Sequence, residues 1–93
     1  MTKMDYIMNN IQVILDTANA EIRYYGVRLD TIMLTNCLGD SYDAKFIFSA
    51  NSNPSYENKQ SIERIVRTVL QDFVSKNIPS PYSMNRSEYV YYF

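Results

Sequence analysis

At 93 residues the chain fits one domain and leaves no room for two. With 46% hydrophobic and 20% charged residues it has the composition of a folded globule, not of a disordered chain, and at this length its core must be thin. A formal net charge of −1 supplies neither the positive field that gathers nucleic acid nor enough negative charge to imitate it. A single cysteine, Cys37, excludes an intrachain disulfide, which in so small a domain points to a reducing cytoplasm. The start, Met1-Thr2-Lys3-Met4-Asp5, runs into mixed polar and apolar residues with no apolar leader. No apolar run approaches the roughly 18 residues of a membrane span. The expectation is a soluble protein with no membrane partner.

Over residues 4–25 the apolar positions Met4, Ile7, Met8, Ile11, Ile14, Leu15, Ala18, Ile22 and Tyr25 recur at steps of three and four, which predicts one long amphipathic helix. Thr2 is placed to cap it, Asp5 favours its positive end, and Gly26 follows where a left-handed closing residue belongs. An alternative ends the helix near Asn19 and makes residues 21–25 a strand. Residues 29–38 and the alternating run 44–50 then read as two strands joined through Gly39-Asp40-Ser41, a hairpin. Residues 51–55 break the sheet. A second helix begins between residues 54 and 58 and runs to about Lys76, with Ile62, Ile65, Val66, Val69, Leu70, Phe73 and Val74 as its buried stripe. Asn77 and Pro79 close it. Pro79-Ser80-Pro81 opens an extended segment, and Tyr89-Val90-Tyr91-Tyr92-Phe93 has strand propensity, so a third strand at the edge of the hairpin, or an extended arm, is expected. The fold class is therefore α+β: helix one over 1–26, hairpin over 27–50, helix two over 54–77, extended segment over 78–93. Both helices are expected on one face of a small antiparallel sheet in a two-layer single domain.

The chemistry is defined by what is missing. The chain has no histidine, hence no Ser-His or Cys-His pair and none of the commonest metal ligand. Cys37 alone builds no zinc site, and its neighbours Asn36 and Leu38 offer no activating base. Two glycines, Gly26 and Gly39, are too few for a phosphate-cradling loop. Asp40 and Asp43 frame a turn that lacks the ordered oxygen ligands of a calcium loop. These deficits predict no cofactor, no metal and no catalysis.

Tyrosine is the anomaly, with 9 in the chain beside 4 Phe and no Trp. In a C-terminal strand Tyr89, Tyr91 and Phe93 share one face and Val90 and Tyr92 the other, so one set packs on the helices and the other exposes tyrosine. Exposed tyrosine suits a binding surface, because the ring buries much area while the hydroxyl tolerates water. Gln60, Arg64, Arg67 and Gln71 form a polar stripe on helix two, and Arg23 and Arg28 flank the end of helix one. The binding residues predicted are Tyr89, Tyr91, Tyr92, Phe93, Arg64 and Arg67. The function expected is a non-catalytic protein-binding module that blocks a host protein by steric occlusion, with a homodimer as one mode of strand-edge pairing. Nine Asn, nine Ile and nine Tyr indicate an AT-rich coding sequence, common among phage and mobile-element accessory proteins, where such inhibitors occur. Two alternatives stay open: a nucleic-acid-binding accessory protein using the arginines, and a nucleotide sponge formed by tyrosines and arginines at an oligomer interface.

Overall fold

Thr2 and Asp5 start the first helix as the spacing predicts. Thr2 Oγ1 accepts from the Asp5 amide at 3.0 Å and the Asp5 carboxylate accepts from the Thr2 amide at 3.2 Å, a reciprocal cap. The backbone hydrogen bond to Thr2, then its hydroxyl, hold the Asp5 carboxyl below its usual value. The computed structural model describes residues 2–79 and 81–93; Met1, and Ser80 within the expected linker, lie outside them.

The long first helix is in fact two, α1 (Lys3–Asn9) and α2 (Ile11–Ile22), followed by a single 3₁₀ turn over Arg23–Tyr25. The alternative strand over 21–25 is absent. The break falls at Asn10, whose side-chain amide donates to the Tyr6 carbonyl at 2.8 Å and so competes with the helix ladder. Ile7, Ile14, Leu15, Ala18 and Ile22 are all buried on the same side, so the apolar period runs unbroken across the kink and conceals it. Gly26, at φ 73°, closes the turn in the left-handed region.

The hairpin follows: β1 (Val27–Asn36) and β2 (Ser41–Ala50) pair antiparallel from Val27↔Ala50 to Asn36↔Tyr42, with a bulge at Asp30. Its turn carries Gly39 at φ 74°. Along β2 the alternation is strict. Tyr42, Ala44, Phe46 and Phe48 point inward and are buried, while Asp43, Lys45, Ile47 and Ser49 point outward.

The second predicted helix is α3 (Tyr56–Asn77), capped by Ser55 Oγ accepting from the Asn58 amide at 3.2 Å. Ile62, Val66, Leu70 and Val74 are its fully buried stripe, with Ile65, Val69 and Phe73 packed at the margins. Asn77 ends it by donating its side-chain amide to the Phe73 carbonyl at 2.9 Å.

The C-terminal segment forms β3 (Ser83–Tyr92), the expected edge strand, giving the sheet order β1-β2-β3. It runs parallel to β2, so the sheet is mixed and not antiparallel throughout. Chain length explains the direction. The 22 residues of α3 span ~33 Å at ~1.5 Å per residue, matching the ~33 Å of a ten-residue strand at ~3.3 Å per residue. The helix thus carries the chain back to the hairpin turn, where the Ser83 amide donates to the Asp40 carbonyl at 3.0 Å and β3 sets off in the direction of β2. Lys3 fastens the same corner, bonding the Asp40 carboxylate at 2.8 Å and the Pro81 carbonyl at 3.2 Å. The helices cover one face of the sheet in a two-layer α+β arrangement, and among the described residues no helix lies on the other face.

Candidate interaction surface

Alternation along β3 divides the aromatic terminus between two environments. Tyr89 and Tyr91 face the helices. Tyr89 stacks on Phe46 with ring centres 5.1 Å apart, and Tyr91 stacks on Phe48 at 4.7 Å. Their hydroxyls are engaged by α3: Arg67 Nη1 donates to the Tyr89 oxygen at 3.0 Å, and the Tyr91 hydroxyl donates to Glu63 Oε2 at 2.8 Å. Burial first, then the Glu63 carboxylate, push the Tyr91 phenol well above its usual value. Lys59 lies 5.0 Å over the Tyr91 ring. Three of the predicted binding residues, Tyr89, Tyr91 and Arg67, are therefore occupied in a latch between α3 and β3.

Tyr92 and Phe93 are 62% and 70% exposed. Tyr92 belongs to the uncovered face, whose side chains the strand register arranges in rows. From the hairpin turn outward these rows are Thr35–Asp43–Arg86, Met33–Lys45–Glu88, Thr31–Ile47–Val90 and Arg28–Ser49–Tyr92. Met33, Ile47, Val90 and Tyr92 make an apolar run flanked on the turn side by charge, with Lys45 and Glu88 3.9 Å apart. Met33 is 56% exposed, whereas Ile47 and Val90 are half-buried by their neighbours. Sequence reasoning passed over Met33, Ile47 and Val90. The signal was the alternation of β2 itself, which puts Ile47 opposite in sense to Phe46 and Phe48.

The arginines are dispersed. Arg64 is exposed on α3. Arg28 is held by Asp30 at 3.0 Å and shares with Arg23 an open cleft of about 350 Å³ between α2 and β1, walled also by Asp16, Asn19, Ala20 and Val27. That cleft contains no tyrosine, and the cleft of about 250 Å³ beside Tyr42 and Tyr82 contains no arginine. Partial burial and the nearby Asp43 push the Cys37 thiol up, away from the thiolate. Among the described residues no group of three His, Cys, Asp or Glu side chains is placed to hold a metal ion, and no helix is long and apolar enough to cross a membrane. No family model matches the chain, and no curated protein and no solved structure is significantly similar to it.

Proposed function

We propose that this chain is a non-catalytic protein-binding module that acts as an inhibitor by laying the uncovered face of its sheet over a surface of its partner. The observation that supports this reading is the run Met33, Ile47, Val90 and Tyr92, extended by Phe93, on a sheet face that no described element covers. An apolar centre beside charged rows has the anatomy of a protein interface. Tyr92 and Phe93 offer large areas with few side-chain rotors to immobilise. Phe46–Tyr89 and Phe48–Tyr91 stacking braces β3 from behind this face.

The test is affinity capture from an extract of the natural host, followed by titration of the captured protein against purified variants. Replacing Tyr92 and Phe93 together by Ala removes exposed rings without touching the core, so the circular dichroism spectrum stays that of the parent. The expected result is at least about a tenfold loss of affinity, the effect of removing a hot-spot side chain worth more than ~1.4 kcal/mol. Arg64→Ala leaves affinity unchanged. Equal affinity of the parent and the doubly substituted protein, or capture of nothing by either, refutes the reading.

A further inference from the structure

The sheet has two edges, and they are finished differently. At the β1 edge Asn19 reaches from α2 to the outward backbone of Leu29, its Oδ1 accepting from the Leu29 amide at 2.7 Å and its Nδ2 donating to the Leu29 carbonyl at 3.0 Å. At this one residue a side chain thus takes the place of a neighbouring strand, and the bulge at Asp30 kinks the edge just beyond it. At the β3 edge no described residue bonds the outward backbone between Arg86 and Tyr92, and the strand there is regular and free of proline. An open, regular edge of this kind is a template for a further strand.

We infer that β3 pairs antiparallel with β3 of a second copy about a two-fold axis at Ser87, joining the two sheets into one of six strands. Charge selects the register. In a two-fold antiparallel pair, directly opposed residues lie on the same face, so the axis must pass through a residue. An axis at Arg86 opposes two guanidinium groups, and an axis at Glu88 opposes two carboxylates, both destabilising. An axis at Ser87 sets Arg86 of each copy opposite Glu88 of the other. Because Asp43 is the β2 neighbour of Arg86 and Lys45 that of Glu88, the uncovered face then carries rows reading Lys45, Glu88, Arg86, Asp43 across the junction, alternating in sign throughout. Axes at Tyr89 or Val90 leave those charges opposite uncharged residues. The bulge at Asn85 keeps the inward faces in phase beyond the charged row, with Met84 opposite Tyr89 and Tyr82 opposite Tyr91. A strand that supplies its own complement in one register favours a second copy over an unrelated strand.

The test combines light scattering over a micromolar to millimolar concentration series with a register-specific cross-link. The parent protein is expected to reach twice the monomer mass. Arg86→Glu places a carboxylate opposite Glu88 twice per dimer and is expected to weaken association by about tenfold or more, with the monomer's circular dichroism unchanged. In a Cys37→Ser background, Ser87→Cys sets the two introduced thiols directly opposite each other, at the 4.5–5.5 Å Cα separation of opposed antiparallel residues, about what a disulfide needs. It is expected to form a covalent dimer on mild oxidation, whereas Ser83→Cys is not. A parent that stays monomeric at millimolar concentration, or a dimer indifferent to Arg86→Glu, or cross-linking at residue 83 rather than 87, overturns the inference. The Tyr92 and Phe93 substitutions leave self-association in place, so capture of a partner and pairing at this edge fail or succeed separately.

Discussion

Replacing Tyr42 by Phe removes a single oxygen from the middle of the core, and the structure says which way stability moves. Tyr42 is fully buried on β2, its ring 4.8 Å from that of Tyr82, and its hydroxyl has no hydrogen-bond partner among the described residues. Burial, then the neighbouring Tyr82, push its pKa up to about 12, so the group is an uncharged hydroxyl at neutral pH. Leaving a buried polar group unpaired costs about 1–3 kcal/mol. The void left by one oxygen is smaller than a methyl group and costs less than about 1 kcal/mol. Tyr42→Phe is therefore expected to stabilise the protein by about 1 kcal/mol, which raises Tm by roughly 4–8 °C in a domain of this size. Tyr82→Phe is the matched comparison, because its hydroxyl donates to Asn36 and its removal costs about 0.5–1.5 kcal/mol. Urea titrations and thermal melts followed by circular dichroism measure both. A fall in Tm for Tyr42→Phe would instead show that the hydroxyl is paired in solution.

Tyr42 and Tyr91 both carry folded-state pKa values raised above the ordinary value of 10.0, so the folded state holds protons that the unfolded chain releases first. The stability they contribute is complete below pH 10 and is lost as pH rises through and beyond about 12; urea midpoints between pH 9 and pH 12 should fall monotonically, and a flat profile contradicts this. Asn19→Ala strips both hydrogen bonds from Leu29 and is expected to cost about 1–2 kcal/mol, lowering Tm by at least about 4 °C. It also exposes the β1 edge, so sedimentation should reveal larger species that the parent does not form; an unchanged Tm counts against Asn19 as an edge cap.

Most of what depends on neighbours close along the chain was legible in the residues. Thr2 with Asp5 marked a helix start, Gly26 a left-handed stop, Gly39 a hairpin turn, and the stripe from Ile62 to Val74 a buried helix face. Each is a local arrangement, written by capping geometry, backbone freedom or a period of 3.6 residues. Asn10 escaped notice although its effect is local, because the apolar period continues through the kink and the competing hydrogen bond from its side chain leaves no mark on that period.

Tertiary structure decided the rest. The direction of β3 follows from where α3 delivers the chain, and that is a matter of matching helix length to strand length across the molecule. Which tyrosines are core and which are surface depends on the face that α3 covers. Strand alternation separated Tyr89 and Tyr91 from Tyr92, but only the packing of Arg67 and Glu63 against β3 assigned the first two to the interior. Asn19 reads in sequence as one polar residue on a helix and becomes an edge cap only when β1 passes beside it, ten residues on. Periodicity sets which way a side chain faces relative to its own backbone; the partner it meets there is fixed by the packing of distant segments.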